Sequence, residues 1–65
     1  MKYKIWDGQM NQYFANGEIF DNKLKAVERL ILFHSVDCWG DLTKIRKELW
    51  QNNEFAELYI KKVEE

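Results

Sequence analysis

The residues of this chain best equipped for chemistry crowd into one stretch, FHSVDCWGD, residues 33–41. It holds the sole histidine, His34, the sole cysteine, Cys38, and also Asp37, Trp39 and Asp41. His34, Asp37, Cys38 and Asp41 recur at i, i+3, i+4 and i+7, close to one face of a continuous helix. Imidazole, thiolate and carboxylate all ligate zinc. Structural zinc sites, however, bring paired cysteines or histidines, and this chain has one of each. Every member also has a structural reading. A histidine near a helix C-terminus is favoured by the helix dipole. A lone cysteine behaves as a small apolar residue. An aspartate after a glycine suits the cap of a following helix. No metal and no cofactor is expected.

Nucleophilic catalysis finds less support. Ser35 adjoins His34 in sequence, but successive helical residues point about 100° apart and do not face each other. Cys38 and His34 could meet at i, i+4, yet both fall on the expected core stripe, where a thiol is inert. Glu54 and Glu57 are the candidate carboxylate pair for acid–base chemistry, and they lie on a solvated segment. With three glycines in all there is no phosphate-cradling loop. The expectation is a protein that is not an enzyme.

The elements that position these residues follow from the chain pattern. Its 65 residues allow one domain, spanning 1–65. KYKIWD, residues 2–7, alternates like a strand, with Tyr3 and Ile5 on one face and Lys2, Lys4 and Trp6 on the other. Asp7-Gly8 then signals a turn. Asn16-Gly17 predicts a tight hairpin between short strands at 12–15 and 18–20. Asp21 or Asn22 should cap a first helix, whose core stripe is Leu24, Val27, Leu30, Ile31, His34 and Cys38. Gly40 should end it and Asp41 should cap a second helix over 42–52, with Leu42, Ile45 and Leu49 as its seam. The tail FAELYIKKVEE reads as helix or strand. Strand is the expectation, because tyrosine, isoleucine and valine favour it and the first strand needs a second neighbour. The fold class is α+β, an antiparallel sheet of three to four strands packed on two helices in the order β-β-(β)-α-α-β.

Composition narrows the partners. Net charge is −1, so no strong field is available to gather nucleic acid or an anionic membrane. The longest apolar run, LILF at 30–33, is far short of a membrane span, and MKYKIWDG lacks the apolar core of a signal peptide. A single cysteine fits a reducing compartment. A cytoplasmic protein is expected.

Two surfaces remain to be explained. Lys44, Arg46 and Lys47, with Arg29 and Trp50 nearby, form a local basic patch with an aromatic, the minimum for a stacking platform with phosphate contacts. Asp37, Asp41 and Glu48 dilute it. The stronger signal is apolar. Trp6, Tyr59 and Val63 fall on the sheet face away from the expected core, while Leu32, Phe33 and Val36, with Trp39, fall off the core stripe. Exposed apolar patches on a small protein mark interaction surfaces, and tryptophan and tyrosine are the usual anchors. Protein binding is therefore the leading expectation, with Trp6, Phe33, Trp39, Trp50 and Tyr59 as contacts. Self-association into a homodimer would use the same surfaces. A nucleic-acid regulator using Lys44, Arg46, Lys47 and Trp50 is the alternative.

YKIWD, NGEIFDN, LILFHSVD and ELYIKKVEE together resemble small accessory proteins of phages and prophages of Gram-positive bacteria. The resemblance implies a protein made in the host cytoplasm that binds and inhibits one host enzyme or a component of antiviral defence.

Overall fold

A computed structural model of the chain describes residues 2–36 and 41–63. Strand β1 (Lys2–Asp7) is followed by β2 (Gln12–Tyr13), a 3-10 turn (Phe14–Gly17), helix α1 (Lys23–Val36), helix α2 (Leu42–Asn52), β3 (Glu54–Phe55) and β4 (Leu58–Val63). Among the described residues these strands form one antiparallel α+β sheet, ordered β2-β1-β4-β3. The tail is a strand, and it lies beside the first strand. Gly40, expected to stop α1, and Cys38, expected to finish its stripe, lie outside the described residues.

Alternation in β1 and β4 decides where the core sits. Ile5 opposes Ile60 on the face turned to the helices, and both are buried. With Leu58 they meet Val27, Leu30 and Ile31 of α1 and Ile45 and Leu49 of α2 in one cluster. Burying each such aliphatic side chain is worth about 1.5–3 kcal/mol, so this face supplies most of the driving force for folding.

The expected hairpin around Asn16-Gly17 does not form. Ala15, Asn16 and Gly17 are all left-handed, at φ 51, 59 and 80. A two-residue hairpin loop uses only two such residues, and the third carries the chain out of register for return pairing. Both segments pair with β1 instead. Tyr13 opposes Trp6, and Phe20 exchanges two backbone hydrogen bonds with Tyr3 at 2.8 and 2.9 Å. This second pairing lets Phe20 enter the core. The first true hairpin joins β1 to β2, and Asp7 shapes its loop by accepting from the backbone N–H groups of Gln9 and Met10.

Asn22 caps α1 through its side chain, which accepts from the Lys25 N–H at 2.9 Å. The buried stripe is Ala26, Val27, Leu30, Ile31 and His34. Leu24, expected in the core, is 51% exposed. Burial of Ala26 centres the stripe between Ala26 and Ile31 on the helical wheel, and Leu24 falls about a quarter turn away. Helix α2 follows its sequence signals closely. Asp41 accepts from Thr43 and Lys44 at its N-terminus, and Asn53 closes its C-terminus in the left-handed conformation at φ 60. Arg46 bridges from α2 to Glu28 of α1.

Two predictions test these local features. The β3–β4 loop is Ala56-Glu57, both left-handed at φ 52 and 64. Side chains with a Cβ pay roughly 1 kcal/mol each for that conformation, and Asn-Gly is the favoured pair for such a turn. Ala56→Asn with Glu57→Gly should therefore raise stability by about 1 kcal/mol in urea unfolding. Separately, a hydrogen bond from Lys2 and the positive charges of Lys2 and Lys25 hold the Asp21 carboxyl below its ordinary range. Its stabilising contribution is full above the unfolded-state value near about pH 4 and is lost as pH falls through the lower folded value. Asp21→Asn should flatten that part of the acid limb of the stability profile, leaving the slope set by other carboxylates.

Candidate functional site

The face of the sheet turned away from the helices is built by the even-numbered residues of β1 and their partners. Trp6 has Tyr13 of β2 on one side and Tyr59 of β4 on the other. Tyr59 in turn opposes Glu54 of β3. One row, Tyr13–Trp6–Tyr59–Glu54, thus crosses all four strands. The next row along β1 is Lys4 opposite Lys61, and the last is Lys2 opposite Val63. Rows two residues apart on a strand lie about 7 Å apart, and neighbours within a row about 5 Å.

The rings interlock. Trp6 and Tyr13 pack edge to face, with centroids 5.0 Å apart and planes at 83°. The Lys4 ammonium lies over the Tyr13 ring, 5.0 Å from its centroid. Gly8 makes room at the end of the row. A Cβ at that position would lie 3.1 Å from Cε2 of Tyr59 and 3.3 Å from the Glu57 carbonyl oxygen. The Gly8 N–H donates to that same carbonyl at 2.8 Å, tying the two hairpin loops together at one end of the sheet. Among the described residues no helix packs on this face; the core contacts of both helices lie on the other side.

Lys4 and Lys61 are directly opposed, and like charges in that position destabilise a sheet. Lys2 is neutralised by Asp21 at 3.1 Å, whereas no ion pair reaches Lys4 or Lys61 among the described residues.

Of the expected contact residues, Trp6 and Tyr59 are brought together here. Phe33 is elsewhere, 39% exposed on α1, packed edge to face on Phe14 and His34 at 5.2 and 5.3 Å. Leu32 and Val36 project from the outer side of α1, at 60% and 74% exposure. Trp50 lies on α2, its backbone carbonyl accepting from Lys23 Nζ at 2.8 Å and its ring under the same ammonium at 5.1 Å. Trp39 lies outside the described residues. Tyr13 was not among the expected contacts. Its signal was the Asp7-Gly8 turn, which folds residues 12–13 back onto β1.

The basic patch of α2 is only partly assembled. Lys44 and Lys47 are exposed, but Arg46 is occupied by Glu28, and the exposed Trp50 ring already has the Lys23 ammonium against it. Among the described residues the catalytic candidates are not brought into any working set. Ser35 Oγ donates to the Leu32 carbonyl at 2.8 Å. His34 is buried, with Phe33 and Phe55 at its edges. Glu54 and Glu57 are exposed in and beside the β3–β4 loop. No group of three His, Cys, Asp or Glu residues lies together among the described residues; Asp37 and Cys38 are outside them. No described helix is long and apolar enough to cross a membrane.

Comparison with family models, curated proteins and solved structures finds no match.

The opposed lysines make a direct prediction. Lys61→Glu converts a like-charge cross-strand pair into an opposite-charge pair. It should stabilise the fold by roughly 0.5 kcal/mol in urea unfolding at low salt, and the gain should shrink as salt is added.

Proposed function

We propose that this protein acts without catalysis, by binding another protein through the open face of its sheet. The observation that carries the reading is the row Tyr13–Trp6–Tyr59, held on the side opposite the core. Large aromatics fixed on a rigid strand pair lose little entropy on binding, and they anchor interfaces for that reason. The fold does not need them as core, because Ile5, Val27, Leu30 and Leu49 fill the interior. With the resemblance to phage accessory proteins, the partner class is a host enzyme or a component of antiviral defence, and binding would inhibit it in the host cytoplasm.

Affinity capture from a bacterial lysate tests the reading when run with matched variants. The wild-type chain should retain a stoichiometric protein partner. Trp6→Ala and Tyr59→Ala should lose it by about 2 kcal/mol or more each, as anchors do. Trp50→Ala, on α2, should keep it. A monomer by sedimentation that retains no partner overturns the reading. So does a partner lost only in the Trp50 variant.

A further inference from the structure

We propose that the open face docks an acidic, extended segment of the partner, with carboxylates seated on Lys4 and Lys61 and apolar side chains on the Trp6–Tyr59 row. The inference rests on the protein-binding reading and adds the chemistry of the ligand. Three observations carry it.

The first is the lysine pair itself. The chain carries net charge −1, yet among the described residues this face sets three lysines against the single glutamate Glu54. Lys4 and Lys61 are placed where their charges oppose folding and no carboxylate of the described chain relieves them. A carboxylate seated on this row draws the Lys4 ammonium off the Tyr13 ring, offsets the like charges and gains a charge-assisted hydrogen bond from each lysine. The docked state therefore recovers a cost that the free protein carries.

The second is spacing. The lysine row and the aromatic row are two residues apart along β1 and β4. An extended segment also repeats its same-side residues every two positions, at about 7 Å. An acidic residue on the lysines thus puts the residue two positions away over Trp6 and Tyr59. Glu54, at the far end of the aromatic row, repels a carboxylate there and sets which end of the segment carries the acid.

The third is what the geometry disfavours. A stacked nucleobase needs a free ring face. The Lys4 ammonium lies over the Tyr13 ring, and Trp6 meets that ring edge to face. A second copy of this chain is disfavoured by symmetry. A two-fold interface centred on this face would bring Lys4 and Lys61 against their own equivalents.

The test uses the full chain, isotope-labelled for amide NMR, and a random peptide library as the probe. Selected peptides should be enriched in Asp or Glu two positions from an aliphatic or aromatic residue. They should shift amides of β1, β2 and β4. Affinity should fall roughly tenfold or more in Lys61→Glu and weaken steeply as salt rises from about 50 to about 300 mM. Lys61→Glu is expected to fold at least as stably as the wild type, so loss of binding in it is not unfolding. Peptides that dock on the face without acidic residues overturn the acidic inference and leave protein binding standing. Failure to select any peptide that shifts these amides also overturns it. An oligothymidine probe that shifts the same amides more strongly than any peptide overturns both. A dimer that buries the face at working concentration does the same.

Discussion

Pairing of the first strand with the last is the constraint on which the rest of the structure depends. β1 and β4 are the two central strands, and every other strand attaches to one of them. Their register sets Ile5 against Ile60 and Trp6 against Tyr59. Because side chains alternate, a slip of one residue would bury Lys4 and expose Ile5. The aliphatic pair therefore fixes the register, and the aromatic pair is aligned as a consequence. The chain forms this contact only after closing a loop of fifty residues (8–57), which is slow compared with the local hairpins and helices. Asp21 helps from the side, binding Lys2 at the start of β1 and Lys25 in the first turn of α1.

The same register explains why the two faces of the sheet differ so much in their demands. The cluster packed against the inner face is mostly aliphatic, and four of its members, Ile5, Val27, Leu30 and Leu49, are the largest fully buried side chains. The chain has three tryptophans, three tyrosines and four phenylalanines. Among the described residues only Phe20 of these is buried, although Tyr3, Phe14 and Phe55 pack at the edge of the core. A domain this small would gain most by spending its largest rings inside. Instead Trp6 and Tyr59, partly buried, and Tyr13, exposed, stand on the open face beside two lysines that form no ion pair among the described residues. The opposed charges do not serve the stability of the isolated chain, and an aromatic row beside them supports the proposal that this face meets a partner.

Much of this frame was legible in the sequence because it rests on local signals that agree with one another. β1, α2, the Asp41 cap and the strand alternation of the tail all follow from period, cap and turn chemistry acting in the same direction. The failures come where a tertiary contact overrode a local signal. Asn16-Gly17 has the right residues for a hairpin, but Phe20 is worth more buried beside Tyr3 than paired with residues 12–15. Leu24 has the right period for the core, but the buried stripe is centred between Ala26 and Ile31, and Leu24 falls outside it. Trp6 and Tyr59 could be assigned to one face from alternation alone. Tyr13 could not, because its place depends on β2 pairing with β1 rather than with the segment that follows.

The stretch 33–41 shows the same rule from the other side. Rare residues gathered in sequence are not thereby gathered in space. His34 turns inward to the aromatic edge of the core, Ser35 bonds back to its own helix, and Asp41 closes the backbone of the next one. Each is engaged by a neighbour that the helix geometry dictates, so their crowding reflects the join between two helices. The residues of the open face are spread through the sequence, at positions 4, 6, 13, 59 and 61, and only the β1–β4 and β1–β2 ladders unite them. A site of this kind leaves no contiguous motif. It is written as the outward half of an alternating pattern.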